Sequence, residues 1–183
     1  LVCGGGVHGA DATAEVTGFA DRLGGLVVTS LSGKGSVPET RAYAAGVLNP
    51  LGSLAAIELI QEADLIVWCG SKVSQNTGMN WTLPKPDQAT ITIDFDPLEH
   101  GRTFRPTVAL LGDVRECVRA LDAGLGDSRA QANPDWLARI AEGGHPIKLE
   151  KGDRVVYSSK QIPGNEIAIG RIMNQLAERG IET

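Results

Sequence analysis

The amino-acid sequence predicts a doubly wound α/β fold, a mainly parallel sheet flanked by helices. Three observations lead there. Leu1–Cys3, Leu26–Ser30, Leu65–Cys69, Ala89–Asp94 and Val108–Leu111 are short, largely apolar runs, as in strands covered on both faces. The stretches between them carry apolar residues at helical spacing, so strand and helix alternate as in βαβ units. Glycine is abundant, 23 of 183 residues against a usual ~7%, while aromatics are 4%. That mix suits tight strand-to-helix turns better than an all-β sandwich.

Each element follows from local signals. Leu1–Cys3 stops at Gly4-Gly5-Gly6. From Ala10 to Leu23, the residues Ala12, Val16, Phe19, Ala20 and Leu23 share one helical face. Ser53 is placed to N-cap a helix reaching about Ala63, with Ala56, Ile57 and Ile60 inward. Asp113 caps a helix to Ala123 whose inner face is Val114, Cys117, Val118 and Leu121.

After Gly124 the character changes. Gly126–Pro134 is polar, Trp136–Ala141 reads as one short helix, and Gly143–Gly164 as irregular. Glu166–Arg179 is amphipathic through Ile169, Ile172, Met173 and Leu176. The expected organisation is one domain over residues 1–125, a linker over 126–164 and the first helix of a further domain over 165–183. A chain opening on Leu1-Val2-Cys3 is expected to be a processed or excised piece.

Composition excludes several classes. With 42% apolar and 21% charged residues, the chain is neither disordered nor a coiled coil. Its net charge is −5 with no basic stripe, so nucleic acid is not an expected partner. No apolar run approaches the ~20 residues of a membrane span. Cys3, Cys69 and Cys117 are dispersed in apolar contexts. They read as buried thiols in a reducing, cytoplasmic compartment rather than as a disulfide framework or zinc site.

Doubly wound sheets bind ligands beyond the carboxyl ends of their strands, and the candidate residues fall there. Gly4-x-Gly6-x-x-Gly9 fits the dinucleotide fingerprint of a Rossmann-like fold, or simply a tight turn. The second strand ends in Thr29-Ser30-Leu31 without the acid that would hold a ribose, which disfavours an ordinary NAD-dependent dehydrogenase. The Thr29–Glu39 loop, with hydroxyls, glycines and Lys34, suits an adenine or phosphate contact but is not a P-loop. Asp94 and Asp96 point the same way out of their strand, as ribose acceptors or as the cap of a helix begun by Pro97. Asp113 reads as a cap first and a ligand contact second, and Lys72 could meet a phosphate. His8 lies in the glycine turn, where it could touch a ligand; His100 and His145 lie far from it in sequence. None of the three has an acid or nucleophile at catalytic spacing, and Ser32 and Ser36 lack a nucleophile-elbow context.

In order, Cys3-Gly-Gly-Gly-Val7, Thr29–Glu39, Gly46 with Gly52, Ala63–Gly70, Ile91–Pro97 with Glu99 and Gly101, and Leu111–Val114 resemble the central domain of thiamine-diphosphate-dependent enzymes. The acetolactate synthase-like branch is the nearest. The resemblance covers residues 1 to about 123, and Ile167–Arg179 looks like the start of that family's C-terminal, pyrophosphate-binding domain. It implies a homodimeric or homotetrameric parent, a transferase or lyase needing thiamine diphosphate and magnesium. That parent would decarboxylate a 2-oxo acid and transfer a two-carbon unit. The activating glutamate and the Gly-Asp-Gly…Asn metal motif would lie outside this chain, which alone would not be catalytic.

Central domains of this family hold FAD, ADP or nothing. Carried over, the cofactor contacts fall on Gly4, Gly5, Gly6, Ser30, Leu31, Gly33, Pro50-Leu51, Lys72, Phe95, Asp113 and Val114. Asp94 and Asp96 join them as ribose acceptors. Three positions depart from the flavin-binding pattern. Pro50-Leu51 replaces Met-His, Lys72 replaces an arginine, and a second arginine falls in Ser74–Asn76. Lysine offers a point charge, not a planar fork. The alternatives are a free-standing NAD- or FAD-binding redox or deacylase domain and an interaction module with a filled crevice. The former would need its own catalytic histidine or an acid ending strand two.

Overall fold

The computed structural model describes residues 1–142, 150–155 and 173–182. The chain divides into two compact units, Leu1–Pro146 and Ile147–Thr183. In the first, strands β1 (Val2–Cys3), β2 (Val27–Thr29), β3 (Ala44–Val47), β4 (Leu65–Cys69), β5 (Ala89–Asp94) and β6 (Val108–Leu111) form one sheet in the order β3-β2-β1-β4-β5-β6. Every pairing is parallel. Strand order reverses at β1, so a crevice opens between the ends of β1 and β4, the switch point of such sheets.

Alternation explains why the strands read as continuously apolar. On β4, Val67 and Cys69 face a core with Val7, Val16, Phe19 and Val118. Ile66 and Trp68 face the opposite core with Leu48, Ala56 and Ile60. Both faces are covered, so neither set can be polar. Helices α2 (Thr13–Leu23) and α4 (Val114–Gly124) cover the first face, and α3 (Leu54–Glu62) lies on the second.

Two local features depart from the expected layout. The glycine turn itself winds into a short helix, α1 (Gly5–Gly9). Asp11, at φ 48°, then breaks the path, and the helix expected from Ala10 starts at Thr13. The edge strand β3 was not expected, because Gly46 interrupts a run of only four residues. Elsewhere the caps hold: Ser53 Oγ accepts from Ala56 N, and Asp113 accepts from the amides of Arg115 and Glu116.

The polar stretch after α4 contributes to the first unit. Ala130 N donates to the Arg22 carbonyl at 2.9 Å. Helix α5 (Pro134–Glu142) then lies on α3, where Arg139 pairs with Glu58 and Glu62 at 3.0 and 2.9 Å. In the second unit Arg154 and Glu182 form a parallel bridge, and residues 173–178 are helical. The remainder of the helix expected over Glu166–Arg179, with Ile169 and Ile172, lies outside the described residues. So does most of the stretch expected to be irregular, Gly143–Gly164.

Candidate functional site

The carboxyl ends of five strands converge on a crevice of about 630 Å³. Gly4, Gly5 and Gly6 follow β1, Ser30 follows β2, and Lys72 follows β4. Asp94, Phe95 and Asp96 close β5, while Asp113 and Val114 follow β6; all of these line the crevice. Leu31 and Gly33 do not. The Leu31 side chain is exposed to solvent outside the lining. Gly33 is buried, and a Cβ on it would lie 2.0 Å from the Cys3 carbonyl oxygen. Its glycine is explained by loop packing on β1. The wall also includes Gly9 of the glycine fingerprint and Ser32 of the Thr29–Glu39 loop, together with Ser71, Ser74 and Thr77, which the sequence does not mark as contacts because lone small residues in loops carry no motif.

The glycine turn serves the fold more than a ligand. Gly4 N donates to the Cys69 carbonyl at 2.9 Å and Gly6 N to the Gly70 carbonyl at 3.0 Å. Those amides stitch the β1 turn to the β4 turn and are not free to cradle a diphosphate. Helix α1 is also too short to present a field at its N-terminus.

Each carboxylate uses one oxygen to hold a turn. Asp94 Oδ1 accepts from Asp96 N at 3.0 Å, and Asp96 Oδ1 from Leu98 N at 3.0 Å. These bonds make the turn after β5, and no α-helix follows Pro97. Asp113 Oδ1 accepts from Arg115 N at 2.9 Å as the cap of α4. The second oxygen of each makes no hydrogen bond among the described residues and can accept from a ligand hydroxyl. Phe95, beside them, is 78% exposed.

Lys72 does not stand free. Its ammonium lies 2.8 Å from Glu99, which holds it above the ordinary lysine value by a hydrogen bond and by charge. Lys34 is likewise paired with Glu39 at 2.6 Å. The histidines brace backbone: His8 Nε2 lies 3.1 Å from the Lys34 carbonyl and His100 Nε2 3.1 Å from the Asp94 carbonyl. His145 lies outside the described residues.

Cys3 and Cys69 are buried register partners on β1 and β4. The hydrogen bond with Cys3, with burial, pushes the Cys69 thiol well up. Among the described residues, no group of three His, Cys, Asp or Glu side chains could hold a metal ion. No described helix is long and apolar enough to cross a membrane.

The family model for the central domain of thiamine pyrophosphate enzymes matches residues 1–121. A model for the ribonuclease J β-CASP domain matches residues 128–176, a stretch too short to place the chain in that family. The probable acetolactate synthase large subunit of Methanocaldococcus jannaschii is 31% identical over 142 residues, 78% of this chain and 24% of that protein. The acetolactate synthase large subunit of Corynebacterium glutamicum is 34% identical over 139 residues, 75% of this chain and 22% of that protein. The mitochondrial acetolactate synthase of Schizosaccharomyces pombe is 31% identical over 153 residues, 76% of this chain and 22% of that protein. The chain thus spans under a quarter of the length of these relatives.

Proposed function

Because the chain belongs to the central-domain family of thiamine pyrophosphate enzymes, we propose that it is the central domain of an acetolactate synthase-like enzyme. That parent is a thiamine-diphosphate- and magnesium-dependent transferase or lyase acting on a 2-oxo acid. Thiamine diphosphate supplies the carbon nucleophile for decarboxylation and two-carbon transfer. In this reading its site, with the magnesium, lies in domains beyond residues 1–183, and the fragment is not catalytic by itself. Residues 1–125 form the central domain and 165–183 begin the next. The parent assembles as a homodimer or homotetramer. Buried Cys3 and Cys69, both free thiols, suit a cytoplasmic setting.

Within the parent this domain is structural and takes the adenosine portion of FAD or ADP. The observation that carries this is the convergence of five strand ends on one crevice of about 630 Å³, a volume in the range of small-molecule sites. Its fit to a nucleoside is good. Asp94, Asp96 and Asp113 each keep one oxygen for ribose hydroxyls, and Phe95 offers an exposed ring for the base. Its fit to a diphosphate is poor, since the Gly4 and Gly6 amides are consumed and Lys72 is paired. The free-standing redox or deacylase reading has less support: β2 ends without a carboxylate, and His8 and His100 brace backbone.

Calorimetric titration of the 183-residue chain with FAD, and then ADP, tests the proposal. Saturable binding of either is the expected result. No heat from a folded sample would leave the domain as scaffold alone.

A further inference from the structure

Among the described residues Lys72 is the sole cation on the crevice wall, and its partner is unusual. Glu99 holds the Lys72 ammonium at 2.8 Å through Oε1, and Oε2 lies 2.9 Å from Arg102 Nε. The Glu99 side chain is only 11% exposed. A carboxylate so enclosed depends on its two cations, because leaving it unpaired forfeits solvation without compensation. A ligand phosphate reaching for Lys72 therefore competes with Glu99.

The rest of the wall acts in the same sense. Asp94, Asp96 and Asp113 put further carboxylates around any anion placed there, and like charges repel. The Gly4 and Gly6 amides are turned into the fold. Ser71, by contrast, is 8% exposed with its hydroxyl unpartnered among the described residues, and it shares the wall with Ser32. Hydroxyls and carboxylates together match an uncharged, polyhydroxylated ligand.

The geometry points to Glu99 as the specificity-determining residue of this crevice. By holding Lys72 it tunes the site toward the uncharged nucleoside end of a ligand and against a free diphosphate. This rests on the nucleotide-binding reading above and deepens it. Glu99 does not touch the ligand; it acts through Lys72.

The test is calorimetric titration of the 183-residue chain with adenosine and with ADP, for the wild type, Glu99→Gln and Glu99→Gln/Lys72→Met. Glu99→Gln is expected to raise the ADP-to-adenosine affinity ratio about fivefold, the scale of one released surface charge. The double variant is expected to lose that gain. A ratio unchanged in Glu99→Gln, or a gain surviving Lys72→Met, overturns the role of Glu99 and leaves the nucleotide reading intact. No binding of either ligand by folded wild type overturns that reading and this inference with it. If Glu99→Gln loses its circular-dichroism signal, Glu99→Asp takes its place. It keeps a charge for Arg102 but falls short of Lys72, so the ratio is expected to move the same way. An unchanged ratio there also overturns the inference.

Discussion

Gly4 and Gly70 approach so closely that a Cβ on Gly4 would lie 2.2 Å from the Gly70 carbonyl oxygen. This contact joins the turns after β1 and β4, where the order of the sheet reverses, and it sets the floor of the crevice. The opposing atom is backbone, which cannot swing aside. We therefore expect Gly4→Ala to destabilise the chain by about 3 kcal/mol, read as a lowered midpoint in urea unfolding.

Gly9 provides the contrast. It lines the same crevice, yet a Cβ there meets nothing within 4 Å. Gly9→Ala should leave stability within about 1 kcal/mol of wild type, since alanine suits a helix end at least as well as glycine. If the crevice holds a nucleotide, the added methyl intrudes on it. The midpoint of unfolding should then hold while affinity for ADP or FAD falls.

Phe95 should report the ligand without reporting the fold. Its ring is 78% exposed, so Phe95→Ala forfeits little buried area. Base stacking on an aromatic ring contributes about 1–3 kcal/mol, so adenosine affinity should drop about tenfold at unchanged thermal midpoint. Equal affinity in the variant would remove Phe95 from the site.

Cys117 gives the chain a pH dependence on the alkaline side. Burial, then the charges of Asp113 and Glu116, push its thiol above the ordinary value of 9.0. Above pH 9 the unfolded thiol has lost its proton while the folded one retains it. The unfolded state then binds fewer protons, and stability falls as pH rises. Burial and the charge of Asp21 push the Tyr43 hydroxyl up, with the same sign at higher pH. The Cys69 thiol, pushed well up, acts with the same sign from the same pH, so thermal unfolding between pH 8 and pH 10 should show the decline and Cys117→Ser should make it shallower without abolishing it.

Trp68 tests the packing of the second core. It is fully buried, 6.4 Å from Phe104 between ring centres, and its indole N–H has no partner among the described residues. Trp68→Phe removes a donor that has no partner among the described residues, so it should cost only the lost volume, about 1–2 kcal/mol. Trp68→Ala should cost about 3–5 kcal/mol. A Phe variant as unstable as the Ala variant would mean that the N–H is satisfied in solution.

Much of the fold was legible because its signals are local. Continuous apolar runs bounded β4, β5 and β6 where the structure has them, and Ser53 and Asp113 cap their helices through atoms only two or three residues away. The edge strand β3 was not legible. Four residues interrupted by a glycine become a strand only because β2 is beside them to pair with. The break at Asp11 is not legible for a similar reason: the periodicity of Ala12, Val16 and Phe19 says which face is buried, not where the chain enters the helix.

For the site, the sequence alone determined which residue types end each strand, and hence the carboxylates, hydroxyls and glycines that meet in the crevice. Family membership follows from the same ordered segments. Tertiary structure decided what each residue is free to do. Gly33 packs on Cys3 outside the crevice, the Gly4 and Gly6 amides are bound to β4, and Lys72 is tied to Glu99. Those outcomes rest on contacts between chain segments far apart in sequence. Spacing along the chain cannot reveal them, because a hydrogen bond or ion pair depends on distances of about 3 Å that only the packed sheet establishes.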